Sequence, residues 1–158
     1  MKYLDILQHE KHIGELYDIF CKAEKYLRYD YLTFYSLMSK RQGFVIYDDS
    51  KVIGCISFSE YVPANDINIH VFVAPEYHGK WAIKRQWYYT IFAYPFEYLN
   101  LPRVSAYIIR PFYRNVEELL HFLGFKLEGV LRKKEKWVDG TYRDVAVYGL
   151  LKEEQWRR

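Results

Sequence analysis

The sequence is poor in cysteine, in methionine and in long apolar runs. Its 158 residues include two methionines and two cysteines, Cys21 and Cys55. Two thiols make neither a disulfide framework nor a cysteine metal cluster, so no metal is expected. The segment 1–20 contains acids and histidines and no uninterrupted apolar stretch, so neither a signal peptide nor a membrane span is expected within it. A cytoplasmic protein with reduced thiols is the expectation.

A strong excess of one charge is also lacking. The chain has 23 Lys and Arg against 20 Asp and Glu, a net charge of +3, and its basic residues are spread along the sequence. This mild balance does not favour a nucleic-acid partner, although it would help to attract a polyphosphate. With 51% hydrophobic residues, residues 1–158 fit a single globular domain.

Aromatic residues, by contrast, are abundant: 17 Tyr, 10 Phe and 4 Trp. Each ring buries a large area, so the core is expected to depend on rings more than on aliphatic chains. An aromatic binding groove is the alternative interpretation.

Hydrophobic periodicity predicts the element order βααβββαβαββ. The predicted strands are 2–7, 43–47, 51–60, 67–73, 103–109, 125–137 and 142–151, and the predicted helices are 9–26, 30–40, 79–98 and 113–122. Asp30 is the expected N-cap of the second helix, Pro95 is expected to bend or end the third, and Gly124 to stop the fourth. The strand-helix-strand sections predict a parallel pair inside a mostly antiparallel sheet, an α+β (mixed α/β) fold.

Three stretches carry further information. Val71–Lys80 reads VFVAPEYHGK, a strand followed by a tight loop and a helix start, where free amides and the helix dipole favour a pyrophosphate. Leu119–Gly129 reads LLHFLGFKLEG, in which a helix passes into a strand. Glu128–Arg132 reads EGVLR and precedes a hairpin that contains Gly140, Asp144 and Tyr148.

In this order and spacing, the three stretches resemble the GNAT (GCN5-related N-acetyltransferase) superfamily, in particular its ribosomal-protein and N-terminal amine acetyltransferase branch. The resemblance covers about residues 67–151. It implies a GNAT-like twisted sheet with one splayed parallel strand pair and about four flanking helices. It also implies acetyl-CoA as co-substrate and a primary amine of a protein or small molecule as acceptor. A homodimer is compatible with the resemblance.

The resemblance also implies which residues bind acetyl-CoA. Main-chain amides at Phe72 and Val73 would polarise the thioester carbonyl, and Asn115 lies near the start of the helix that contacts the cofactor. The pyrophosphate loop falls on His78, Gly79, Lys80, Trp81, Ala82 and Ile83. This loop is degenerate, since Trp81 and Ile83 stand where the superfamily has small residues.

Catalysis requires a base for the amine and an acid for the leaving thiolate. His70, on the strand that leads into the loop, is the first candidate for base or water relay. Glu60 and Tyr61, at the end of the preceding strand, are alternatives, and Asn68 and Asp66 lie nearer the place where the superfamily often holds a carboxylate. Tyr113 is the candidate acid, because Leu120 occupies the position of the superfamily's frequent tyrosine. Each of these side chains also has a plain structural interpretation, as a packing, capping or surface residue.

Two groups of basic residues remain. Lys80, Lys84 and Arg85 either meet the phosphates of coenzyme A or form a solvated helix face. Arg132, Lys133, Lys134 and Lys136 form the densest basic run, and strand alternation would send them to both faces of a hairpin. That run is either a solvated hairpin or a patch for an acidic substrate or nucleic acid.

The sequence therefore predicts an acetyl-CoA-dependent N-acetyltransferase. The degenerate loop and Leu120 motivate an alternative, a catalytically inactive GNAT-fold binding or assembly module of viral or mobile-element origin. A third hypothesis is an RNA-binding domain that uses the aromatic residues and the basic hairpin.

Overall fold

A computed structural model describes residues 2–6, 9–24, 29–78, 85–111 and 114–156. The chain divides into two compact units, Met1–Ser59 with Ile69–Ile91 and Glu60–Asn68 with Phe92–Arg158. A single domain over residues 1–158 stays a prediction. In the described ranges, no helix has the length and apolar character needed to cross a membrane.

The element order predicted from the sequence is confirmed. The strands are β1 (Lys2–Ile6), β2 (Gln42–Asp48), β3 (Lys51–Val62), β4 (Asp66–Val73), β5 (Arg103–Ile109), β6 (Lys126–Lys136) and β7 (Tyr142–Leu151), and the helices are α1 (Ile13–Ala23), α2 (Tyr31–Met38), α3 (Arg85–Ala93) and α4 (Arg114–Phe122). The sheet runs in the order β1-β2-β3-β4-β5-β7-β6. Short 3-10 turns precede α1 and follow β4 and β7.

The first unit packs α1 and α2 on the antiparallel strands β2 and β3, and β1 pairs antiparallel with β2. Asp30 caps α2 as predicted, because its side chain accepts a hydrogen bond from the Thr33 amide at 2.7 Å. Both cysteines lie in this unit as free thiols, Cys21 exposed and Cys55 buried.

A cluster of rings lies within the core of this unit. The ring centroids of Phe20 and Phe34 are 5.0 Å apart, and both rings lie near Phe72 of β4, at 5.6 and 6.2 Å. All three side chains are buried. Tilted and edge-to-face pairs at these distances stabilise a core beyond the area they bury. Aliphatic side chains are nevertheless more numerous than rings in this core cluster, so the expectation that the core depends on rings more than on aliphatic chains is not confirmed.

The second unit contains the antiparallel strands β5, β7 and β6. The first residues of β4 also belong to it, and Asn68 pairs with Ser105 of β5 in the parallel sense. The predicted parallel pair in a mostly antiparallel sheet is therefore confirmed. Gly124 ends the α4 segment at φ +93°, and Gly140 turns the last hairpin at φ +83°.

α3 ends at Ala93, close to Pro95 as predicted. The chain continues in a π-helical turn at Tyr94–Tyr98, in which the Leu99 amide donates to the Tyr94 carbonyl at 3.0 Å. Proline removes one amide donor and crowds the carbonyl four residues earlier. The wider turn is one of the ways in which a helix accommodates that disruption.

Candidate active site

The main chain at the end of β4 is tightly held within the first unit. A Cβ atom added to Gly54 of β3 would lie 2.4 Å from the Phe72 carbonyl oxygen and 2.9 Å from Val73 Cα. The Ala74 amide donates to the Ile53 carbonyl at 2.8 Å. Only glycine permits this approach of two main chains. Gly54 therefore lets β3 pack against the end of β4, whose amides are predicted to contact the thioester.

His78 follows β4 at the start of the predicted coenzyme A loop. Its Nε2 atom is hydrogen-bonded to the Val73 carbonyl at 2.9 Å. The Tyr77 amide donates to Ala74 and the His78 amide to Pro75, so the chain turns compactly here. The predicted loop residues Gly79, Lys80, Trp81, Ala82 and Ile83 lie outside the described residues, as do Lys84 and the side chain of Arg85. Their contacts with phosphate stay predictions.

His70 lies in a half-buried part of the first unit. Its Nε2 atom is 2.6 Å from the Ser59 hydroxyl oxygen. Burial, and then the nearby charge of Arg41, lower the pKa of His70 to about 3. The imidazole is therefore neutral near pH 7 and binds a proton weakly. This environment suits a hydrogen-bonding or relay role better than a strong base, and the catalytic assignment of His70 stays a prediction.

The low pKa of His70 predicts a pH dependence of stability. The unfolded chain binds a proton at the ordinary value of 6.5, whereas the folded chain does so only near 3. Stability is thus fully present above pH 6.5 and falls as the pH drops towards 3. Replacing His70 with glutamine is expected to flatten this fall in urea unfolding experiments. An unchanged pH profile of stability in that variant would contradict the low pKa of His70 in the folded chain.

Glu60 and Asn68 meet within the second unit. The Asn68 amide donates to the Glu60 carboxylate, and Asn68 itself is only 5% exposed. Glu60 has a left-handed backbone, at φ +53°, which is uncommon for a residue with a side chain and interrupts strand alternation. Two of the candidates named from sequence are thus joined, while Tyr61 next to Glu60 is exposed.

Asp66 is in a different electrostatic environment from Glu60. The Ser105 hydroxyl donates to it, and the Arg103 Nε atom lies 3.3 Å from its carboxylate. Arg103 also donates to Ser105 at 2.8 Å and to Glu128 at 2.8 Å. The hydrogen bond to Glu128 raises the pKa of Arg103, burial lowers it, and the charge of Asp66 raises it. The net effect is a raised pKa. The charge of Asp66 is therefore compensated, whereas for Glu60 the described residues show no ion pair.

The Arg103 network leads to a prediction about stability. Replacing Arg103 with methionine would leave Asp66 and Glu128 without their cation, and a loss of about 2 kcal/mol is expected for these partly exposed groups. Arg114, in an exposed pair with Glu118, is the matched control, and its methionine variant should lose less than about 0.5 kcal/mol. Urea unfolding measures both variants. Equal losses would refute a special role for Arg103.

The start of α4 is fixed by its own polar cluster. Arg110 donates to both carboxylate oxygens of Glu117, at 2.9 and 2.7 Å, and the buried Tyr148 hydroxyl donates to the same carboxylate. Asn115, the predicted cofactor contact, is exposed on the first turn. Tyr113, the predicted acid, lies outside the described residues.

Sequence patterns alone do not identify four polar residues of these clusters: Arg103, Ser105, Glu128 and Glu117. Their spacing in the sequence carries no signal, because the contacts depend on the register between distant strands and on how α4 packs. Leu120, at the position of the superfamily's tyrosine, is buried, so it serves the core.

Solved structures of acetyltransferases resemble this chain. The ribosomal-protein-S5-alanine acetyltransferase from Vibrio fischeri has a TM-score of 0.76 at 18% identity, over 99% of this chain and 96% of that chain. A variant of the spermidine N-acetyltransferase SpeG from Vibrio cholerae has a TM-score of 0.77 at 19% identity, over 96% and 94%. No protein-family profile matches the chain, and no curated protein matches its sequence. The chain therefore has the fold of the GNAT N-acetyltransferases.

Proposed function

We propose that this chain is a cytoplasmic, acetyl-CoA-dependent N-acetyltransferase acting on a primary amine of a protein or small molecule. The observation that carries the proposal is the Glu60 carboxylate, which a buried Asn68 amide orients and for which the described chain shows no ion pair. The two similar structures are named for amine acceptors, a protein alanine and spermidine, and this supports an amine acceptor here.

The proposed chemistry assigns one task to each group. Acetyl-CoA, when bound, supplies the acetyl group as a thioester. Glu60 binds the acceptor ammonium and takes its proton, directly or through water, because an ammonium has no lone pair with which to attack. Main-chain amides at Phe72 and Val73 polarise the carbonyl, and the strand packing around Gly54 keeps them in place. The new C–N bond replaces the C–S bond, and the thiolate takes up a proton.

Binding of acetyl-CoA provides the direct test. A ligand that binds the folded chain raises its stability by RT ln(1 + [L]/Kd), about 2.7 kcal/mol at a hundredfold excess over Kd. We expect a higher melting temperature in millimolar acetyl-CoA, and release of free thiol once an amine is added. No thermal shift would refute the proposal.

A second candidate function is a GNAT-fold binding module without catalysis. It is favoured by Leu120, which is buried and leaves α4 without the superfamily's tyrosine. A thermal shift with acetyl-CoA but no thiol release, with mono-, di- and polyamines or with peptide amino termini, would support this candidate over the enzyme.

A further inference from the structure

The last hairpin contains a wide bulge at its basic run. Leu131 of β6 pairs with Val145 of β7, and Glu135 pairs with Arg143. Between these two pairs, β6 has three residues, 132–134, where β7 has one, Asp144. The two extra residues of β6 form the bulge. Arg132, Lys133, Lys134 and the following Lys136 are called the basic bulge below.

The bulge has a defined main-chain structure. Lys133 has a left-handed backbone at φ +52°, and its amide donates to the Asp144 carboxylate at 2.8 Å. The Asp144 carbonyl in turn accepts from the Arg110 amide at 3.0 Å. The alternation expected from sequence fails here, because a left-handed residue and a register shift break the two-residue period. All four basic side chains are exposed.

The charges of the basic bulge are not neutralised within the described chain. Other cations of the hairpin and its neighbours have carboxylate partners: Lys126 with Glu154, Arg103 with Glu128, and Arg143 with Asp139. For the basic bulge, the described ranges show no ion pair, and Asp144 is engaged by a main-chain amide. Four cations thus face solvent with one interspersed acid, Glu135.

An aromatic ring lies beside these cations. Tyr142 of β7 is 56% exposed and pairs directly with Lys136. At the same end of the hairpin, the buried Trp137 receives the Arg143 guanidinium 6.0 Å from its ring centroid, and its amide donates to Thr141 at 2.7 Å. The hairpin therefore exposes four cations and the Tyr142 ring, and the contacts of Trp137 stabilise its end.

We propose that the basic bulge and Tyr142 bind the phosphodiester backbone of single-stranded nucleic acid. Spaced cations meet phosphates, and an exposed ring stacks on a base without sequence preference. An acidic peptide fits less well, because the bulge disrupts the regular main-chain ladder on which strand addition depends. A second copy of the chain would place like charges together.

Fluorescence anisotropy with a labelled oligouridine tests the proposal. The logarithm of the binding constant should fall with the logarithm of salt concentration with a slope of about −3, since each neutralised phosphate contributes about −0.7. The double variant Arg132→Gln/Lys134→Gln should halve the slope. Lys11→Gln/Lys40→Gln, exposed residues of the other unit, changes the net charge equally and should keep the slope.

Further arms separate the alternatives. Tyr142→Leu should weaken oligouridine binding about tenfold through the lost stacking, and unchanged melting temperatures confirm folding of every variant. An oligothymidine competitor distinguishes DNA from RNA as the source of the backbone. Equal losses in the two double variants, or polyglutamate competing as well as oligouridine, would overturn the proposal. The test does not depend on acetyl transfer.

Discussion

Replacing Gly54 with alanine is expected to lower the free energy of unfolding by about 3 kcal/mol or more. The added Cβ would meet the Phe72 carbonyl oxygen at 2.4 Å and Val73 Cα at 2.9 Å. These are main-chain atoms inside a sheet, so no side-chain rotation relieves the clash, and β3 and β4 must separate. Urea unfolding followed by circular dichroism measures the loss.

Gly14→Ala is the matched control for this substitution. Gly14 lies in the first turn of α1, and a Cβ there would meet no atom within 4 Å. Alanine is the better helix former, so this variant should gain up to about 1 kcal/mol. A Gly54→Ala chain as stable as Gly14→Ala would show that β3 and β4 do not approach as closely as described.

Replacing Glu60 with glutamine is expected to lower kcat/KM for the amine by a factor of about 10² to 10⁴, the usual contribution of a general base. Glutamine has nearly the same shape and still accepts the Asn68 hydrogen bond, but it neither attracts an ammonium nor takes its proton. Thiol release at saturating acetyl-CoA, measured over a range of amine concentrations, gives the value.

Two comparisons make the Glu60 result specific. Glu153→Gln removes one exposed carboxylate outside the proposed site, so it should keep the original kcat/KM. The thermal shift with acetyl-CoA should be the same in the Glu60 variant and the unaltered chain, because the carboxylate acts on the acceptor. If the Glu60 variant retains full activity, another group must be the base and the proposed mechanism fails.

Much of the fold could be predicted because it depends on local signals. The Asp30 cap and the glycine at residue 124 each act within a few residues, and the structure confirms them. The parallel pair at Asn68 and Ser105 followed from the strand-helix-strand order. The sequence could therefore predict the order and type of the elements from neighbouring residues alone.

The rest depends on contacts between distant segments. Arg103 meets Asp66 and Glu128, which lie 37 residues before it and 25 after it, and only the register between strands brings the three together. The low pKa of His70 arises from burial, which a sequence pattern cannot measure. The bulge at Lys133 depends on the hydrogen bond that its amide donates to Asp144 across the hairpin.

The two free thiols differ in a way that is useful for covalent labelling. Burial raises the pKa of Cys55 to about 12, while Cys21 is exposed on α1. Because thiolates react and buried thiols do not, a maleimide dye attaches to the native chain at Cys21 alone. The unaltered protein thus accepts one fluorophore at a known helix, and the buried sulfur becomes available to the same reagent only when the first unit opens.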